Sequence, residues 1–104
     1  MSRSLGALAG WFQPWARGLV DVARQYGLRP RVTSTYRSRR EQQLLYDRYL
    51  SGQHPYPVAK PGTSLHEAGL AVDLVSDDNA WLGEVWQYWG GQWSPSDVVH
   101  FGAY

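Results

Sequence analysis

The chain has 104 residues, 43% of them hydrophobic and 18% charged, with a formal net charge of +1 and no cysteine. That length supports one modest core rather than two, and the balance of apolar to charged residues excludes a disordered chain. The near-zero charge gives no electrostatic footprint for nucleic acid, and without thiols any metal must be held by His, Asp or Glu.

The first ten residues, Met1 to Gly10, imitate the start of a signal peptide. Their apolar run is brief and is broken soon afterwards by Gln13, Pro14 and Arg17, so no signal is read and accumulation in the cytoplasm is expected. No stretch approaches the roughly 18 apolar residues of a membrane span. From about Pro14 to Tyr26, the residues Trp15, Leu19, Val22, Ala23 and Tyr26 keep helical spacing, with Gly27 as the C-cap. Arg31 to Tyr36 is rich in β-branched residues and predicts a strand. Ser38 then caps a helix through about Leu50, in which Leu44, Leu45 and Tyr46 are the apolar positions.

Ser51 to Gly62, with Pro55, Pro57 and Pro61, is a long loop of the kind that commonly carries function. His54 within it is read as a solvated loop histidine. Leu70 to Val75 predicts a strand with Leu70, Val72 and Leu74 on the core face and Ala71, Asp73 and Val75 on the other. Asn79 is the expected cap of a third helix running to about Trp89 and closed by Gly90-Gly91. A short strand around Val98 to Phe101 ends the chain, with Val99 and Phe101 facing inward. Mixed helices and short strands give an α+β domain with a small antiparallel sheet and flanking helices, spanning residues 1–104. Six Trp and seven Tyr either fill a small core or line a sugar- or peptide-binding groove. The helical spacing of Trp81, Val85 and Trp89 favours the core.

Two segments carry chemistry: Ser64-Leu-His66-Glu-Ala-Gly69-Leu-Ala-Val-Asp73 and Asp97-Val-Val-His100-Phe101. They offer two imidazoles and a carboxylate, and three protein ligands with an open fourth position describe a catalytic zinc site. In one continuous strand His66 and Asp73 would lie roughly 23 Å apart on opposite faces, so His66 must precede the strand. Gly69 permits the chain to turn back there. Asp97, three residues before His100, suits a base acting on metal-activated water.

Ser-x-His-x-x-Gly-x-Ala-x-Asp followed by Asp-x-x-His-Phe resembles the LAS group of zinc peptidases, in its D-alanyl-D-alanine carboxypeptidase branch. That branch includes phage L-alanyl-D-glutamate endolysins. Tyr36-Arg37-Ser38-x-x-x-Gln42 and Pro61-Gly62-x-Ser64 match two further elements of the branch, in the right order. The resemblance implies the Hedgehog/DD-peptidase fold, with His66, Asp73 and His100 as Zn2+ ligands and Asp97 as catalytic base. It also implies that Arg37 binds the substrate carbonyl or carboxylate and supports the oxyanion, with Ser64 and Gln42 as neighbouring substrate contacts. Val98 and Gly102 depart from the Pro and the acidic residue that many relatives carry at those positions.

The implied substrate is the peptidoglycan stem peptide, and the protein is expected to be a monomer, of host or phage origin, that acts at the bacterial wall. An endopeptidase cut between L-Ala and D-Glu is favoured over D-Ala-D-Ala carboxypeptidase action, by analogy with compact phage enzymes. The alternative is a non-catalytic, metal-containing wall- or peptide-binding module of the same fold. Such a module would have no need of the carboxylate at Asp97.

Overall fold

The computed structural model describes residues 1–55 and 57–104. After a 3-10 turn at Leu5–Ala7, helix α1 covers Gln13–Gln25 and strand β1 covers Arg31–Ser34. Helix α2 (Arg39–Leu50), a second 3-10 turn (Leu65–Ala68) and strand β2 (Ala71–Val75) come next. Helix α3 (Asn79–Tyr88) leads into a hairpin of β3 (Gln92–Ser94) and β4 (Asp97–Gly102). The strands form one antiparallel sheet in the order β1-β2-β4-β3. The α+β class and its small antiparallel sheet are therefore as expected.

The core lies on one face of this sheet. Val72, Leu74 and Phe101 meet Leu19 and Val20 of α1 and Leu82 and Trp86 of α3. Full burial of each such large side chain contributes about 1.5–3 kcal/mol. Successive strand residues point to opposite faces, so Asp73 and His100 are carried to the other side of the two central strands. That alternation is what positions the site.

Several local expectations shift. In α1 the buried stripe is Ala16, Leu19, Val20 and Ala23, while Trp15 and Tyr26 are exposed. In α3 it is Leu82, Gly83 and Trp86, with Trp81 and Trp89 packed at its edge. Both faces are thus rotated by about one residue from the aromatic spacing. Large aromatics flank these cores more readily than they fill the tightest positions. Trp86 is buried and Trp11 and Trp15 are exposed, so the aromatic content is divided between core and surface. In α2 only Leu45 and Gln42 are buried, and Leu44 is exposed.

Asp78, not Asn79, caps α3: its side chain accepts from Trp81 N at 3.1 Å. Asn79 is occupied elsewhere. Leu70 precedes β2 rather than starting it, and Ala71 is fully buried on the face expected to be open. Val99 is only half-buried at the mouth of the cleft, whereas Phe101 enters the core as expected. Strand β3 has no counterpart in the expected elements, being three residues with an exposed-intermediate-exposed pattern. The long loop from Ser51 is met on its described residues; Tyr56 lies outside them.

Candidate metal centre

The approach to the site begins at α2. Ser38 Oγ accepts from Glu41 N at 3.1 Å while Glu41 Oε1 accepts from Ser38 N at 3.0 Å, a reciprocal cap that fixes the residue after Arg37. A bulge between Val32 and Ser34 places Ser34 opposite Asp73. Beyond it the backbone leaves the ladder, and Thr35 N donates instead to Ser2 O at 2.8 Å.

That departure frees the Thr35 carbonyl for His66, whose Nδ1 lies 2.6 Å from it. A carbonyl only accepts, so Nδ1 carries the proton and the lone pair of a neutral ring is on Nε2. His66 sits in the 3-10 turn, 2% exposed, and Gly69 ends that turn in the left-handed region at φ +70°. The chain reverses there as the spacing of His66 and Asp73 requires. A Cβ on residue 69 would stand 2.8 Å from Ala9 N, so the close approach demands glycine as much as the angle does.

His66 Nε2 faces Asp73 Oδ1 at 3.1 Å, and His100 Nδ1 faces the same oxygen at 3.4 Å. One ligand atom from each of the three residues lies within 4.8 Å of the others. With Nδ1 of His66 protonated toward Thr35, its Nε2 lone pair and the Asp73 carboxylate confront each other, and only a proton or a cation relieves the repulsion. The donor set is two imidazoles and one carboxylate, borderline ligands suited to zinc. The carbonyl behind His66 supplies the outer partner that fixes a ligand's tautomer. These residues fit a bound Zn2+.

The remaining Asp73 oxygen, Oδ2, accepts from Arg37 Nη2 at 2.9 Å. Burial pushes the Asp73 carboxyl up, but where a proton on His66 Nε2 is what relieves the repulsion, the hydrogen bonds from His100 and His66 and the charges of His66 and Arg37 outweigh it and hold it well below the usual carboxylate range. Burial lowers the Arg37 pKa, opposed by the charges of Asp73, Asp97 and Glu41. Arg37 Nε also donates to Ser34 Oγ at 3.3 Å, and Nη1 donates to Gln42 Oε1 at 3.2 Å. Three of the five guanidinium N–H groups are thus engaged, leaving two for a ligand in the cleft that Arg37 lines.

The cleft, of about 600 Å³, is lined by Arg37, Gln42, Ser64, Asp97 and the three clustered residues. All the residues singled out from sequence therefore meet in one place. Their conditions differ. Asp97 is exposed at the start of β4, and Ser64 Oγ accepts from His66 N at 3.2 Å. Gln42 is 1% exposed, and its amide is engaged at both ends, by Arg37 and by Ala59 O at 2.8 Å. His54, read from sequence as solvated, is half-buried in the cleft wall because the loop folds back over α2. Sequence reasoning missed Thr35, whose contribution is a backbone carbonyl, and Ser34, which only the bulge brings to Arg37.

A family model described as "VanY: D-alanyl-D-alanine carboxypeptidase" matches residues 12–93. The chain belongs to the VanY family. A D-alanyl-D-alanine carboxypeptidase of Enterococcus faecalis is 39% identical in a 77-residue alignment that covers 62% of this chain and 29% of that protein. The VanY-family chain thus spans under a third of that curated relative's length. Among solved structures, VanYB in complex with D-alanine-D-alanine superposes with a TM-score of 0.74 at 26% identity, covering 92% of this chain and 71% of that one. A mutant of the vancomycin-resistance D,D-pentapeptidase VanY, in complex with Zn(II), gives 0.73 at 26% identity, covering 92% and 72%. The LdcB LD-carboxypeptidase gives 0.71 at 21% identity, covering 92% and 58%, a likeness of fold. Among the described residues, no helix is long and apolar enough to cross a membrane.

Proposed function

We propose that this VanY-family chain is a zinc-dependent D-alanyl-D-alanine carboxypeptidase that trims peptidoglycan stem peptides at the bacterial cell wall. The observation that carries the reading is the convergence of His66 Nε2, Asp73 Oδ1 and His100 Nδ1, with the His66 tautomer fixed by Thr35 O. A bound zinc supplies Lewis-acid polarisation of the scissile carbonyl and lowers the pKa of water. Asp97, exposed in the cleft, takes a proton from the attacking water and returns one to the leaving amine. Arg37 holds Asp73 with one N–H and offers its two remaining ones to the terminal carboxylate or the developing oxyanion. Ser64 and Gln42 complete the wall on the Arg37 side, Gln42 chiefly by orienting Arg37. The candidate residues, drawn from four separate segments of the sequence, meet in one cleft, which supports reading residues 1–104 as a single catalytic domain.

Carboxypeptidase action is favoured over the cut between L-Ala and D-Glu for two reasons. The family and its curated member are carboxypeptidases, and Arg37 is the one Arg or Lys among the described residues lining the cleft, as a free C-terminus requires. The test is mass spectrometry of purified stem pentapeptide digested by the zinc-loaded protein, with and without chelator. Chelator-sensitive release of D-alanine is expected. Release of L-alanine instead, leaving a tetrapeptide whose fragment ions begin at D-Glu, would establish the endopeptidase, and intact peptide with stoichiometric zinc would establish the binding module. His66→Ala should lose zinc and stability together, and unchanged zinc content in that variant would sink the site.

A further inference from the structure

The ladder between β2 and β4 runs from Ala71↔Gly102 through Val72↔Phe101 to Asp73↔His100 and stops there. The strands part just beyond the two clustered residues that they carry. Asn79 fills the fork. One amide N–H of its Nδ2 serves Leu74 O at 2.8 Å and the other serves Val98 O at 2.9 Å, while Oδ1 accepts from Ser76 Oγ. Both donors and the acceptor of this amide are engaged, so its orientation is fixed.

Val98 O takes a second bond, from Trp93 Nε1 at 2.9 Å. The Trp93 ring can reach it because residue 83 is glycine: a Cβ there would stand 2.2 Å from Trp93 Cδ2. Asp97 immediately precedes this doubly held peptide. Its own backbone pairs only with Ser94, across a turn closed by the Ser94 and Ser96 hydroxyls, 2.8 Å apart. The carboxylate therefore projects from a strand end that β2 no longer supports, and Asn79 replaces the missing ladder.

We propose that Asn79 is a positioning residue for Asp97, holding the Val98 peptide so that the carboxylate stays over the metal site. This rests on the reading of Asp97 as the proton carrier. The geometry also explains why Asn79 is absent from the helix cap, which Asp78 supplies. A small displacement of a catalytic group costs up to about a hundredfold in rate, so a defect confined to kcat is the signature.

The experiment measures D-alanine release from stem pentapeptide by the zinc-loaded wild type, Asn79→Ala, Asp97→Ala and the double variant, with zinc content and Tm recorded. Asn79→Ala is expected to keep zinc and KM within about twofold while kcat falls about 10- to 100-fold. In the Asp97→Ala background the same change should cost nothing further, because the two act as a unit. Trp93→Phe keeps an aromatic side chain facing Gly83 but removes the Nε1–H donor together with part of the indole. It should show a smaller loss of the same kind, and it serves if Asn79→Ala does not fold. Wild-type kcat in both Asn79→Ala and Trp93→Phe overturns the proposal, as does a loss that multiplies with that of Asp97→Ala. Wild-type turnover by Asp97→Ala itself removes the base assignment, and the proposal with it.

Discussion

Removing Arg37 takes a donor from Ser34, Gln42 and Asp73; a hydroxyl can turn to another partner, so the last two carry most of the cost, which depends on whether a cation occupies the site. In Arg37→Ala, the Oε1 of Gln42, a side chain 1% exposed in the wild type, loses its donor. An orphaned buried acceptor costs about 1–3 kcal/mol. Asp73 also loses the partner on Oδ2, with His66 and His100 remaining at Oδ1, in a pair whose side chains are 12% and 15% exposed. Breaking a fully buried pair costs about 3–5 kcal/mol, and residual exposure brings this one to about 2–3. The two losses share one side chain and overlap, giving about 3–5 kcal/mol in the metal-free protein. That is a large part of the roughly 5–15 kcal/mol that holds a domain together.

Bound zinc neutralises Asp73 and removes most of the second loss, leaving about 1–3 kcal/mol from Gln42. The assay is urea unfolding with chelator and with excess zinc, comparing midpoints at constant slope. Arg37→Ala should lose at least about 1 kcal/mol more in chelator than in zinc. Arg37→Lys keeps the charge without the fork, cannot serve Asp73 and Gln42 together, and should fall between. Equal losses in the two conditions, or a chelator loss below about 0.5 kcal/mol, would refute the claim that Arg37 holds the Asp73 carboxylate. Turnover should drop in Arg37→Ala even with zinc saturating.

Three further substitutions probe the scaffold around the site. Gly69→Ala sets a Cβ 2.8 Å from the Ala9 amide nitrogen at φ +70°, and should destabilise by about 2–4 kcal/mol in thermal unfolding; an unchanged Tm would contradict the close approach. Gly83→Ala gains about 1 kcal/mol of helix propensity but drives a methyl into the Trp93 ring. It should be net destabilising and should perturb Trp fluorescence, and a more stable variant would show that Trp93 moves freely. Asp78→Ala removes the α3 cap and should cost about 1 kcal/mol of stability with turnover of the folded enzyme retained. A loss of kcat in that variant would tie the cap to the site.

Asp73 and His100 were legible because each breaks an apolar pattern at a position with no structural need for it. Asp73 interrupts Ala71, Val72, Leu74 and Val75 in a central strand, and His100 stands between Val99 and Phe101. A polar group in a buried strand is costly unless it has partners, and the partners could be sought among the other interruptions. The requirement that His66 precede the strand also came from reach alone, and the 3-10 turn with Gly69 satisfies it. The features that were not legible depend on the backbone. Thr35 acts through its carbonyl, which every residue possesses, and only the bulge at Thr33 turns it toward His66. Adjacent Asp78 and Asn79 are equally good caps by type, and the choice between them is made by the fork that Asn79 alone reaches.

The sheet order explains why so small a chain can build this centre. Asp73 and His100 are directly opposed on β2 and β4, the two interior strands, so the ladder fixes their separation. The same peptides hold Val72 and Phe101 in the core on the opposite face. Any movement of Asp73 relative to His100 would have to break hydrogen bonds and core packing together. The groups proposed to act on a substrate stand outside that rigid pair: Asp97 where the ladder ends, and Arg37 beyond the bulge in β1. Each is steadied by side chains rather than by the ladder, Arg37 by Ser34 and Gln42 and Asp97 by way of Asn79 and Trp93. Substitutions in the ladder should therefore be read out as lost zinc and lost stability, whereas substitutions in the side-chain supports should be read out mainly in turnover.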